Sequence, residues 1–180
     1  MKRKSSTRLP RQNEFLTFSG HVGTLRTVPI CLEDIAHGLS QVCRWSGQIP
    51  VFYSVAEHSL DVAAELKKQN CSAFTQLAGL LHDAHEAYIS DLVVCVKSRI
   101  RGYKEMEKYL QKRIEIKLLG REVPDGIKEL VKEVDREIWK TEVRGLWHSK
   151  EEFFCFPWNR LTSKIYFINK FNELQIGLLT

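Results

Sequence analysis

His82 and Asp83 stand side by side in an otherwise apolar run (Leu77, Ala78, Leu80, Leu81), and Glu86 follows within GLLHDAHEAYISDLVVCVK. Helical side chains three to four positions apart share a face. On a helix Glu86 therefore lies beside His82, with Asp83 on the neighbouring face and in reach of the same ion. An imidazole and two carboxylates cost free energy when buried unless something binds them, and a divalent metal ion would do so. Two more groups carry the same mark. His58 lies in the first turns of the segment opened by Ser54. Asp135 stands in KEVDREIW, where Val131, Val134 and Ile138 mark a buried face. An acid bordering such a face is uncommon unless paired or bound. His58, His82, Asp83 and Asp135 are thus the candidate metal ligands. Mixed imidazole and carboxylate ligands suit Mn, Co, Fe, Ni or Zn, and the missing thiolates argue against a structural zinc site.

Positioning these groups takes several helices. Ile35, Leu39 and Val42 recur at helical spacing over 32–43, with Glu33 and Asp34 suited to a helix N-terminus. Ser54-Val55-Ala56-Glu57 is a capping-box sequence that opens a helix to about Lys68. The periodicity predicts one helix over 72–88, carrying the His-Asp pair, then a loop around Ser90 and Asp91. An amphipathic helix over 103–119 stops at Gly120. Pro124 opens another that is expected to run toward Trp147, and a last one covers 161–178. Leu16, Phe18 and Val22 give a short strand or an irregular lead-in. The expectation is an all-α chain of five to seven helices, with a basic irregular lead-in over 1–30 and one domain over 31–180.

Composition narrows the class. At 180 residues and 43% hydrophobic, the chain holds one sizeable core. Its formal charge of +5 is concentrated in Lys2, Arg3, Lys4, Arg8 and Arg11. Such an arm is more often a solvated terminus than a nucleic-acid contact. Five scattered cysteines (Cys31, Cys43, Cys71, Cys95, Cys155) with no CxxC pair fit neither a disulfide framework nor a zinc knuckle. No apolar run is long enough to span a bilayer, no secretory signal opens the chain, and a cytoplasmic location is expected. Phe153, Phe154, Phe156, Trp158, Tyr166, Phe167 and Phe171 exceed what one short helix buries, which makes a homo-oligomer plausible.

The spaced His58 in YSVAEHSLDVA, the doublet His82-Asp83 in LLHDAHEAYISDL and the distant Asp135 in VKEVDREIW resemble the pattern of the HD-domain phosphohydrolases. The resemblance covers roughly residues 30 to 145, including ICLEDIAHGLSQVCRWSGQ. It is similar to small bacterial and phage members, the YfbR-type 5′-deoxynucleotidases and the phage enzymes that strip triphosphate from dATP. What the resemblance implies is a single HD-domain helical bundle and a divalent metal cofactor (Mn, Co, Mg, Fe, Ni or Zn) on His58, His82, Asp83 and Asp135. Asp83 and Glu86 would be catalytic, with Glu86 handling a proton of water or of the leaving oxygen. Arg44 would bind phosphate, Trp45 pack on the nucleoside, Asp91 approach the sugar and Lys97 the phosphate.

Taken alone, Arg44-Trp45 also suits a helix terminus with a packed indole, and Asp91 a cap on the next segment. His85 reads as peripheral and His37 as structural. The chain has DLVVCVK where the related deoxynucleotidases have DLPxPVK, which alters the pocket wall. The expected activity is removal of the 5′-phosphate from a deoxynucleoside monophosphate. Release of triphosphate from a dNTP is the alternative, and a non-catalytic nucleotide or nucleic-acid-binding module is the more distant one. A phosphodiesterase would share the motif but need a more open groove.

Overall fold

The computed structural model describes residues 9–145 and 158–178, and they are mostly helical. The order is β1 (Phe15–Leu16), β2 (Val22–Gly23), α1 (Leu32–Gln41), α2 (Val55–Lys68), α3 (Ala73–Leu80), α4 (Glu86–Ile89), α5 (Val94–Lys97), α6 (Tyr103–Leu119), α7 (Asp125–Val143) and α8 (Arg160–Ile176). The all-α architecture matches the expectation, but eight α-helices are described where five to seven were expected. The excess comes from the one-turn segments α4 and α5. Trp147, Phe153, Phe154, Cys155, Phe156 and most of the basic arm lie outside the described residues. No helix among the described residues is long and apolar enough to cross a membrane.

Helix α2 begins where its sequence says it should. Ser54 Oγ accepts from Glu57 N at 3.2 Å, and Ser54 N donates to Glu57 Oε2 at 3.0 Å, which satisfies otherwise orphaned backbone donors. Beyond that cap, α2 runs through the centre of the molecule and packs on α1, α3, α7 and α8. One side of it joins Ile35, Leu39, Leu77, Leu80, Ile114, Phe167 and Phe171 in the main core. Val62 and Leu66 turn instead toward Phe74, Val123, Val131 and Val134. Each such side chain contributes roughly 1.5–3 kcal/mol when fully buried. His58 lies on the inward part of this helix and is fully buried, whereas Lys67 and Lys68 at its far end are exposed.

The lead-in is tied to the bundle by side chains. β1 and β2 pair antiparallel, with Phe15 opposite Gly23. Asp34, at the start of α1, accepts from Ser19 N at 2.7 Å and from Ser19 Oγ at 2.8 Å. Arg113 on α6 donates to the carbonyls of Leu25 and Val28.

The single helix expected over 72–88 is not formed. α3 stops at Leu80, residues 81–85 form turns, and α4 restarts at Glu86. The cause is local. His82 Nδ1 lies 2.7 Å from the Gly79 carbonyl and takes the acceptor that Asp83 N would use in a continuing α-helix. Tighter i→i+3 bonds follow, such as Ala84 N to Leu81 O and Glu86 N to Asp83 O. The break turns His82 and Asp83 away from the regular helical positions expected of them.

Candidate metal centre and its cavity

His58 from α2, His82 and Asp83 from the turns after α3, and Asp135 from α7 converge on one point. Asp135 Oδ1 is 3.0 Å from His58 Nε2 and 3.8 Å from His82 Nε2. Asp83 Oδ2 is 3.1 Å from His82 Nε2 and 3.9 Å from His58 Nε2. Each carboxylate thus faces both imidazoles, and the imidazole rings are 5.3 Å apart.

Both rings are oriented from behind. His58 Nδ1 donates to Glu142 Oε1 at 2.6 Å, and His82 Nδ1 donates to the Gly79 carbonyl. A carboxylate and a carbonyl can only accept, so each Nδ1 carries the hydrogen. That leaves the two Nε2 atoms pointing inward, and both are buried without a hydrogen-bond partner. Inward Nε2 atoms with outer-sphere partners on Nδ1 are the arrangement that imidazoles adopt around a metal ion. His58, His82 and Asp83 offer donor atoms close enough together for one ion. The donor set fits a divalent cation.

The charges agree with that reading. Burial alone would lower the His82 pKa, but Asp83 and Asp135 outweigh it and push it well above the usual range. Asp83 and Asp135 would be raised by burial, yet the facing imidazoles hold both well below the ordinary carboxylate range. The two carboxylates thus set negative charge against both imidazoles.

A cavity of about 380 Å³ opens on this point, lined by Arg44, Trp45, Asp83, Glu86, Asp91, Val93, Val94, Lys97, Asp135 and Trp139 among others. Every residue expected to contact substrate therefore borders one space. Arg44 Nη2 donates to Glu142 Oε2 at 3.0 Å, and its Nη1 lies 3.9 Å from Asp83. Despite its burial, those carboxylates raise the guanidinium pKa further.

Trp45 and Ser46 adopt left-handed backbone angles, φ 59° and 51°. A bulky residue there is strained by roughly 1–2 kcal/mol. The turn is held by Trp45 Nε1 donating to Glu142 Oε2 at 3.3 Å and by Ser46 Oγ donating to the Asp91 carbonyl. Arg44 and Trp45 thus do not end α1, which stops at Gln41; they open a separate 3-10 turn over 44–47, and the indole packs in the cavity wall.

Glu86 is buried, with Oε1 accepting from Lys97 Nζ at 3.0 Å and Oε2 lacking a partner. Burial, reinforced by Asp83 and Asp91 and opposed by Lys97, pushes its carboxyl up to about 9. Lys97 also meets Glu107 at 3.0 Å, so it is bracketed by the carboxyl groups of Glu86 and Glu107. His85 lies aside, with Nδ1 near Gln111 and Nε2 3.5 Å from Glu107. His37 stacks on Phe18.

Two residues escaped the sequence reading. Glu142 joins His58, Arg44 and Trp45 in one network, and Trp139 stacks on Trp45. A signal existed for both. They follow Asp135 by seven and four positions, which keeps all three on one face of α7.

The fold and site together define an all-α bundle with a buried His/Asp centre under an aromatic- and cation-lined cavity. No family model matches the chain. An uncharacterized protein of Rhodobacter capsulatus is 40% identical over 110 residues, 58% of this chain and 56% of that protein. The chain therefore spans little more than half the length of that relative. The uncharacterized protein YfdR of Escherichia coli (strain K12) is 33% identical over 133 residues, 72% of this chain and 70% of YfdR. The chain belongs to the same family as YfdR.

Proposed function

We propose that the chain is a metal-dependent phosphohydrolase that removes the 5′-phosphate of deoxynucleoside monophosphates. The observation that carries this reading is the pair of buried, unpartnered Nε2 atoms of His58 and His82 facing Asp83 and Asp135 at the base of the cavity. His58, His82, Asp83 and Asp135 would hold the ion. A divalent ion held there would supply Lewis acidity toward a phosphoryl oxygen and would acidify water.

The remaining steps fall to the chain's own groups. Arg44 is fixed by Glu142 and presents a planar donor fork for a phosphate. Lys97 adds a second cation on the same wall. Glu86 stands beside them with Oε2 uncommitted, and burial favours the protonated form of its carboxyl. As water adds to phosphorus, Glu86 donates that proton to the 5′-oxygen while the phosphorus–oxygen bond breaks; the water's proton restores the carboxyl, and the products are the nucleoside and inorganic phosphate. Trp45 and Asp91 border the same cavity; Trp45 would pack on the nucleoside and Asp91 would accept from a sugar hydroxyl.

A second reading is release of triphosphate from a dNTP. It is favoured by a neighbouring cavity of about 280 Å³ lined by Asp83, His85, Lys97, Lys108 and Lys112 among others. Asp83 and Lys97 border both spaces, and the added lysines would suit further phosphates.

Incubation of metal-stripped protein with dNMPs and dNTPs, with Mn, Co, Mg or no added metal, tests both readings. Inorganic phosphate from dNMPs supports the first, and intact tripolyphosphate the second. Asp83→Ala should yield neither. No metal-dependent product from either set would sink the hydrolase reading.

A further inference from the structure

We propose that Trp139 is a specificity-determining residue: with Trp45 it forms an aromatic wall on which the base of a nucleotide stacks. This rests on the nucleotide reading above and assigns its base recognition to a residue on α7. Single exposed apolar side chains are ordinary, but Trp139 is not isolated. Trp139 is 44% exposed and lies one turn beyond Asp135. The ring centroid is 5.6 Å from that of Trp45, with the planes 29° apart. Both rings border the cavity that reaches the candidate metal centre, and Val93 and Val94 border it too.

The rest of the lining identifies the ligand. Arg44 and Lys97 call for an anion, and two indoles with two valines call for a flat apolar group. A molecule carrying both is a nucleotide, the anion directed toward Arg44 and the ring toward the tryptophans. Trp45 has one ring donor, Nε1–H, and it is committed to Glu142. The Trp45 ring therefore has no hydrogen bond to give a base, and Trp139, which packs on it, presents the exposed aromatic surface. Stacking of this kind tolerates different bases because each has a π-face. Selection should then be strong between substrates with and without a base, and weak between purine and pyrimidine.

The test compares kcat and KM of wild type, Trp139→Ala and Trp139→Phe on dAMP, dTMP and 2-deoxyribose 5-phosphate. Trp139→Ala should raise KM for both nucleotides roughly tenfold or more, with a smaller change in kcat. Trp139→Phe should restore most of the loss. The preference for nucleotides over the sugar phosphate should collapse in the Ala variant. An equal fractional loss on the sugar phosphate, or a fall in kcat at constant KM, would overturn the proposal and leave Trp139 a support for its neighbours.

Equilibrium dialysis with dAMP and dTMP separates this inference from the hydrolase reading. If wild type hydrolyses nothing but binds both nucleotides, and Trp139→Ala weakens that binding, the wall stands and hydrolysis falls. Absence of saturable nucleotide binding would remove the wall.

Discussion

The two sides of the candidate centre are built differently. On one side, His58, Asp135 and Glu142 sit on the long helices α2 and α7, and Glu142 ties His58, Arg44 and Trp45 together from a fully enclosed position. On the other, His82, Asp83, Glu86, Asp91 and Lys97 sit on turns and one-turn helices over 81–97. Val94, Cys95 and Val96 of that segment are exposed. Long packed helices fix positions, whereas isolated single turns have little stability of their own. The helical side should therefore couple function to stability, and the turn side should carry function with little effect on stability.

The largest expected effect lies on the helical side. Glu142→Ala would strand a buried guanidinium and leave His58 Nδ1 unpaired. Breaking such a buried pair from one end costs about 3–5 kcal/mol, read as a lower urea midpoint. Loss of the outer-sphere partner should also weaken metal binding about 10–100-fold, measured by competition with a chelating dye. Unchanged stability would show that the network adds no rigidity and erase the contrast.

Glu86→Gln probes the turn side. Turnover should fall by about 10²–10⁴, with metal affinity retained within a few-fold. In metal-stripped protein the pH dependence carries a second signature. The Glu86 carboxyl is raised to about 9 in the fold by burial and by Asp83 and Asp91, against roughly 4.3 in an unfolded chain. Below the unfolded value both states hold the proton, and the contribution to stability is fully present. As pH rises toward 9 the unfolded state releases its proton while the fold retains it, so stability falls. Glu86→Gln should lose less stability than wild type between pH 5 and 9. Parallel stability curves would mean that Glu86 is already ionised.

Gly38→Ala acts where the two sides meet. A Cβ at Gly38 on α1 would lie 2.8 Å from both the carbonyl oxygen and the Cβ of Ala87 on α4. Since the oxygen belongs to the backbone, α4 must move, and Glu86 with it. Overpacking of this kind costs about 1–3 kcal/mol, and the displaced carboxyl should lower kcat as well. A crystal structure of the variant with α4 unmoved would contradict the account.

These contrasts also mark how far the sequence could be read. Helix α6 and its stop at Gly120 follow from apolar spacing and a left-handed glycine (φ 76°), both local. The Ser54 cap is equally local, which is why the placement of His58 at the start of α2 was legible. His58, His82, Asp83 and Asp135 were legible as a set because each stands in or beside an apolar face and because their spacing resembles the HD pattern. The break after Leu80 was not, because a side chain captures a backbone carbonyl there, and helical periodicity is blind to that. Glu142 escaped for a different reason. Its seven-residue spacing from Asp135 puts it on the same face of α7, but its partners lie 84 and 98 positions away, beyond the reach of local spacing. Trp45 was placed at the cavity by resemblance, but its left-handed backbone depends on the contact with Glu142.

The smallest effect sharpens the contrast most directly. Val94 opens α5 and is 80% exposed, so its side chain buries little area on folding. The segment is instead fastened by Lys97 between Glu86 and Glu107. Val94→Ser removes an apolar surface that the fold does not use, and stability should stay within about 0.5 kcal/mol of wild type. Thermal unfolding of the two proteins side by side measures this. A loss above about 1 kcal/mol would mean that α5 is packed into the bundle, and the turn side would then be a structural element in its own right. A null effect leaves the lysine clamp as the element that holds α5 against the cavity.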